Sequence, residues 1–159
     1  MGSIEHGINS GLFRGDALRY VKKRKAEMTS KQLLLWCRQI AEGMAYLSEL
    51  KDGDKLVHRD LAARNILVKN PNHVKIADFG LAQMVNKKPE FIDDTGGKMP
   101  LKWLAIECIQ RGLYSHKSDV WSFGVTIWEL LTYGKKPFPN VSARGKWFRL
   151  LDLVKTKPV

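Results

Sequence analysis

The chain has 159 residues, 44% of them hydrophobic and 27% charged, a balance that fits one folding domain with its own core and excludes a disordered or low-complexity polypeptide. Its formal charge of +11 would by itself suggest an anionic partner such as nucleic acid, but much of the excess is local, in Lys22-Lys23-Arg24-Lys25 and in Arg144, Lys146, Arg149, Lys155 and Lys157. Such a run reads as the solvated end of a helix, where cations also meet the carboxyl-end dipole, so no nucleic acid is expected as a partner.

Residues Met1 to Arg14 carry little pattern and read as a flexible lead-in, with no basic-then-apolar order that would mark a signal peptide. Asp16 can cap a short helix through Leu18, Tyr20 and Val21, closed by the basic cluster. Thr29 followed by Gln32 predicts a capping box. Leu33, Trp36, Cys37, Ile40, Ala41, Met44 and Leu47 then recur at helical spacing, so a long core helix follows, with Gly43 inside it at a cost of about 1 kcal/mol against Ala. Lys51 to Asp54 is a turn into the strand Leu56-Val57.

The richest stretch runs from Leu56 to Gly80. A polar loop, His58-Arg59-Asp60-Leu61-Ala62-Ala63-Arg64-Asn65, precedes two β-type runs, Ile66 to Val68 and His73 to Ile76, joined by the turn Asn70-Pro71-Asn72. Folding that hairpin back returns Asp78 of Asp78-Phe79-Gly80 to the neighbourhood of Asp60 and Asn65. Three oxygen-bearing side chains around one small volume suit a hard cation carrying phosphates, because Mg²⁺ takes one or two protein oxygens and leaves its other positions to water and nucleotide.

Leu81 to Lys98 loses periodicity and reads as a mobile loop. Leu104 to Gln110 can make one or two helical turns. From Ser118 to Tyr133 almost every position except Ser122, Thr126 and Glu129 is apolar, which predicts a helix buried on all sides and ended by Gly134. Its apolar run, Val120 to Leu131, is shorter than the roughly 20 residues of a membrane span. Cys37 and Cys108 lack the spacing of a zinc site and read as reduced, buried thiols. In the tail, Trp147, Leu150, Leu151 and Val154 again fall at helical spacing.

His58-Arg59-Asp60 with Asn65, then Asp78-Phe79-Gly80, then Gly96 to Trp103 and Ser118 to Gly124, resembles the protein kinase family in motif and order. Ala62 and Arg64, two and four positions after Asp60, are similar to the tyrosine-specific branch, and the wording resembles the epidermal growth factor receptor family. The resemblance covers residues 15–144 as a partial kinase domain, between the lead-in 1–14 and a divergent tail 145–159. It implies a mainly α fold, the large C-terminal lobe of an α+β two-lobe architecture, with a small β-hairpin at the catalytic loop.

By the same resemblance Asp60 is the catalytic base with Arg64 beside it, and Asn65 and Asp78 are the Mg²⁺ ligands. ATP would rest on Leu67. Pro100, Leu101 and Trp103 would form the platform for a protein tyrosine substrate. His58, Arg59, Phe79 and Gly80 would support the loop, Glu107 closes Ala105-Ile106-Glu107 where the family has Ala-Pro-Glu, and Asp119 would hold the backbone at His58-Arg59. The parent activity implied is transfer of the ATP γ-phosphate to tyrosine in proteins, in a plasma-membrane receptor whose kinase domain is cytoplasmic and has a receptor dimer partner. No glycine-rich phosphate loop precedes Asp60, so the chain alone is expected to be inactive and cytoplasmic. The alternative is a non-catalytic kinase-like module that binds receptor or substrate partners. No tyrosine lies between Asp78 and Glu107, only Phe91 and the hydroxyl of Thr95, so control by lobe or dimer contacts is expected.

Overall fold

The computed structural model describes residues 13–50, 55–85, 90–92 and 100–139, the three residues 90–92 by backbone alone. Helix α1 is Ala17–Lys23, opened by Asp16, whose Oδ1 accepts from Arg19 N–H at 2.8 Å, and it carries Lys22 and Lys23 in its last turn. A 3₁₀ turn at Lys25–Glu27 leads into α2, Ser30–Ser48. Thr29 Oγ1 accepts from Gln32 N–H, so the cap forms. The reciprocal half of the box does not. Gln32 Nε2 instead donates to Pro71 O at 2.6 Å, a long-range contact that outcompetes the local one.

Strand β1 is Leu56–Val57, and strands β2 (Ile66–Asn70) and β3 (His73–Ile76) form the hairpin, with Ile66 opposite Ile76, Val68 opposite Val74 and a bulge between Val68 and Asn70. Three side chains of α2 grip its turn. Gln32 and Trp36 Nε1 (2.8 Å) both donate to Pro71 O, while Gln39 donates to Asn72 O and accepts from Val74 N–H, both at 2.9 Å. Gly43 of α2 leaves room for Ile76, whose Cδ1 would stand 2.8 Å from any Cβ there, so the helix accepts glycine where the hairpin's last residue presses in. On the other flank, Arg14 N–H donates to Val68 O and Val68 N–H to Gly15 O, which sews the start of the described chain onto β2. Residues 1–12 of the expected lead-in, the turn at 51–54 and the tail 145–159 lie outside the described residues.

Two strands interrupt the segment expected to be a mobile loop. Strand β4, Gln83–Met84, pairs with β1, and β5, Glu90–Ile92, pairs with β6, Leu113–Ser115. Ladders of two or three residues with partners far along the chain leave no period in the sequence, which is why local pattern reads them as loop. Helix α3, Ile106–Arg111, ends at Gly112 in the left-handed conformation (φ 61°). Helix α4 is His116–Leu131, opened by a capping box between Ser115 and Ser118. Helices with three two-stranded sheets therefore make up the described fold, as expected of a kinase-like large lobe.

The main core joins α1, α2, the hairpin and α4 through Val21, Leu33, Trp36, Ile40, Leu61, Ile66, Val68 and Leu130, with Tyr20 edge-on to Trp36 at 5.5 Å. A smaller core under Val57, Val85, Leu104, Cys108 and Tyr114 carries the segment that follows the hairpin. Both cysteines are free and buried, and burial raises both thiols, Cys108 to about 11.

Helix α4 corrects one expectation. It is not buried all round: Ser118, Asp119, Ser122, Thr126, Glu129 and Leu130 are the buried positions, whereas Val120, Trp121, Trp128 and Leu131 are exposed. The polar residues recur at three- and four-residue spacing on the face that meets the loops, and no described element covers the apolar face opposite. No described helix is long and apolar enough to cross a membrane.

Candidate active site

The loop before the hairpin turns on Arg59, whose φ of 70° puts a non-glycine residue in the left-handed region, a conformation that costs about 1–2 kcal/mol and needs outside support. Asp119, at the start of α4, supplies it. Its Oδ2 accepts from His58 N–H at 2.7 Å and its Oδ1 from Arg59 N–H at 3.0 Å. Burial raises the Asp119 carboxyl above its ordinary range, and these two N–H groups pull the other way. The fully buried His58 accepts the Asp60 N–H at Nδ1 (3.3 Å), which leaves the proton on Nε2, 3.2 Å from Ala77 O. The ring bridges the loop to the segment after β3, and Phe79 packs on it with ring centres 4.9 Å apart.

Asp60 is held at both carboxylate oxygens. Arg64 Nη2 makes a short contact with Oδ1, and Asn65 Nδ2 donates to Oδ2 at 2.8 Å and to the Asp60 carbonyl at 2.7 Å. Burial raises the Asp60 carboxyl; Arg64 and the Asn65 bond oppose this, and the Asp78 charge adds to it, so the two carboxylates lie within Coulombic range. Ala77 N–H donating to Asn65 O at 2.9 Å clips the end of β3 beside the loop.

Asp78 itself is exposed, with φ 62°, and Oδ1 faces Gly80 N–H at 3.4 Å. A Cβ on Gly80 would stand 3.3 Å from that same oxygen, so glycine keeps the carboxylate uncrowded. With Nδ2 of Asn65 committed to Asp60, Oδ1 is left as the amide's ligand atom. Among the described residues no three His, Cys, Asp or Glu side chains cluster as a metal cage. One carboxylate and one amide oxygen fit a hard, largely hydrated cation such as Mg²⁺ and do not fit zinc.

A short 3₁₀ turn, Leu101–Trp103, follows Pro100 on the other side of Arg64. The Arg64 guanidinium lies 4.9 Å from the Trp103 ring centre, so one cation touches both Asp60 and the turn. Glu129 of α4 joins the same two pieces: its Oε2 accepts from Ala63 N–H at 3.0 Å and from Trp103 Nε1 at 2.8 Å. Ser122 Oγ donates to Trp103 O at 2.7 Å.

The family model for protein tyrosine and serine/threonine kinases matches residues 10–154. This chain belongs to the protein kinase family. Within that family it is a tyrosine-kinase domain closely related to the epidermal growth factor receptor and ErbB kinases. It is 59% identical over 131 residues to the epidermal growth factor receptor of Apis mellifera, which covers 82% of this chain and 10% of that protein. It is 55% identical over 130 residues to the receptor tyrosine-protein kinase erbB-4 of Homo sapiens and 52% identical over 130 residues to erbB-2 of Mus musculus, with the same coverage. The chain spans about a tenth of the length of these curated relatives.

Of the remaining kinase positions singled out in the sequence, Leu67 is half-buried on β2, opposite Lys75 and bridged to Asp16. Pro100, Leu101 and Trp103 stand together on the turn beside Arg64, all half-buried. Glu107 lies in the first turn of α3, where its backbone carbonyl accepts from Gly112 N–H. The Glu129 and Ser122 clasps of this kinase domain were not assigned from sequence. A carboxylate alone in an apolar helix was their one available signal, in register with Asp119 and Ser122 on a single helix face.

Proposed function

We propose that this chain is the base- and metal-bearing part of a receptor-type protein tyrosine kinase whose parent activity moves the ATP γ-phosphate to tyrosine in proteins. The observation that carries the reading is Asp60: a half-buried carboxylate aimed by two different donors, next to a second carboxylate, on a loop clamped to α4. Phosphoryl transfer asks for alignment and charge neutralisation more than for covalent chemistry, and this arrangement meets that demand.

Asp60 would orient the tyrosine hydroxyl and accept its proton, and the burial that raises its carboxyl makes it a better acceptor. Asn65 Oδ1 and Asp78 would hold Mg²⁺ bound to ATP, which supplies the phosphoryl group and offsets its charge. Arg64 would keep Asp60 in line with the platform Pro100, Leu101 and Trp103, where a proline ring suits an aromatic substrate side chain, and Leu67 would floor the adenine. His58, Arg59, Phe79, Gly80 and Asp119 act behind these groups, as supports. The parent would sit at the plasma membrane with this domain on the cytoplasmic side and a receptor dimer partner. The chain by itself would transfer no phosphate, because a site open to solvent weakens each electrostatic contact several-fold.

Grafting decides between this reading and a non-catalytic binding module. Residues 15–144 would replace the matching segment of the Apis mellifera receptor kinase, and the chimera would be given radiolabelled ATP and a mixed tyrosine polymer. Incorporation into tyrosine, lost by at least about a thousandfold with Asp60→Asn, is the expected result. A folded chimera with no incorporation would refute the catalytic reading.

A further inference from the structure

Four cations surround one hollow at the start of the described chain. Arg14, Arg19, Lys23 and Arg24 line an open pocket of about 290 Å³, with Tyr20 beneath them. Arg19, Tyr20, Lys23 and Arg24 lie on one side of α1 by their spacing, Arg24 being the residue that closes the helix. Arg14 comes from the segment before the helix, and that segment is tied down: its N–H donates to Val68 O at 2.7 Å, and Val68 N–H donates to Gly15 O at 2.9 Å. The floor is fixed as well, because Tyr20 is buried and stands edge-on to Trp36.

Neighbouring carboxylates aim two of the guanidinium groups without cancelling the site. Asp16 meets Arg19 at Nε (3.3 Å) and Glu27 meets Arg24 at Nη1 (2.7 Å), while the Arg24 guanidinium also lies 5.3 Å from the Tyr20 ring centre. A guanidinium carries five N–H donors, so both keep donors for a ligand. Among the described residues no ion pair engages Arg14 or Lys23. Four cations against two carboxylates leave an excess of two positive charges around one small volume.

That excess selects the ligand. A phosphate monoester carries a charge of about −1.5 to −2 near pH 7, and an arginine fork matches its oxygens two at a time. A single phosphate would fill a fraction of the hollow and reach one or two of the cations; two or more on one compact scaffold would meet all four. Duplex nucleic acid does not fit, since its phosphates are singly charged and lie along a convex surface. An apolar ligand would find little to cover, because Tyr20 is already buried.

We propose that this hollow binds a small molecule bearing two or more neighbouring phosphate monoesters, of the inositol polyphosphate class, either free or as the headgroup of a lipid. It shares no residue with the Asp60 site and does not depend on the reading of that site.

Isothermal titration of the whole chain with inositol 1,4,5-trisphosphate at physiological salt tests it. One-to-one binding with Kd on the order of 10–100 μM is expected, and orthophosphate should bind at least about tenfold more weakly. Arg14→Gln/Lys23→Gln should weaken the trisphosphate about ten- to thirtyfold. Arg111→Gln/Lys117→Gln removes as much charge from exposed positions elsewhere and should change it by less than about twofold. Absence of binding, equal affinity for orthophosphate, or equal losses in the two double variants would each overturn the proposal, the last by showing that net charge alone is at work. Side-chain NMR of the unaltered chain gives a reading that needs no variant to fold: the Nε–H signals of Arg19 and Arg24 should move with the trisphosphate, while that of Arg38, whose Nε is held by Glu42, stays in place. Shifts at all three, or at none, would overturn it too. Vesicle sedimentation separates the two sources. Retention on vesicles containing phosphatidylinositol 4,5-bisphosphate, released by the soluble trisphosphate, supports the headgroup; titration with no vesicle retention supports the free compound. Equally strong retention on phosphatidylserine vesicles of matched charge would replace the site with unspecific surface attraction and overturn the proposal.

Discussion

Asp119 and Glu129 are buried carboxylates ten residues apart on one helix, yet they use their oxygens differently. Asp119 spends both, one on each of two backbone N–H groups, whereas both bonds to Glu129 end on Oε2. An amide can replace the second arrangement but not the first, because its NH₂ would face an N–H. Glu129→Gln should therefore stay within about 1 kcal/mol of the parent at pH 7, while Glu129→Ala, which orphans Trp103 Nε1 and Ala63 N–H, should lose about 2–4 kcal/mol. Asp119→Asn should lose about 1–3 kcal/mol. A pH signature comes with this. Burial raises the Glu129 carboxyl in the fold, so its contribution to stability is present below its unfolded pKa and is lost as pH rises through the folded value. Urea denaturation at several pH values from 4 to 7.5 should show that slope flattened in Glu129→Gln; an unchanged slope would mean Glu129 is not the group responsible. Asp60, Asn65 and Asp78 were legible because a loop and one hairpin hold them within a few turns of chain. Glu129 was not, because its partners lie 26 and 66 residues away.

Elements follow the same division. Helices α1, α2 and α4 announce themselves through caps and 3.6-residue periodicity, and the hairpin through its Asn70-Pro71-Asn72 turn. The end of α4 shows how much one residue can contribute. Thr132 closes the helix, Tyr133 takes φ 56°, its N–H reaching Leu130 O at 3.0 Å, and Gly134 N–H reaches back to Glu129 O at 2.7 Å, the paired bonds of a Schellman stop. Gly134 has φ 78°, and a Cβ on it would meet Lys22 Cγ at 2.7 Å and Leu18 Cδ1 at 3.1 Å. Gly134→Ala should accordingly cost about 1–2 kcal/mol and lower Tm by several degrees in a thermal melt, through backbone strain and displacement of α1 together. An unchanged Tm would show that α1 and the helix end yield freely. Strands β4 and β5 have no such local signature, and only their partners β1 and β6 define them.

At the scale of the whole molecule, part of the charge of +11 sits at a helix end, with Lys22 and Lys23 in the last turn of α1. Arg19 pairs with Asp16, Arg24 with Glu27 and Arg38 with Glu42, all near the surface and each worth less than about 1 kcal/mol. Retention of random-sequence DNA should be weak at low salt and gone by about 200 mM, because only unspecific phosphate neutralisation is on offer. Binding that survives that salt would restore a nucleic-acid role. Sequence alone determined the helices, the hairpin, the kinase motifs and the tyrosine-type loop, since each depends on residues near one another in the chain and on steric preferences that do not need a partner. Tertiary structure decided which face of α4 is buried, that Asp119, Ser122 and Glu129 tie helix, loop and platform into one unit, and that an apolar face lies on the other side. Those outcomes depend on which distant groups meet, and a buried polar stripe beside an exposed apolar one has the same helical period as its inverse.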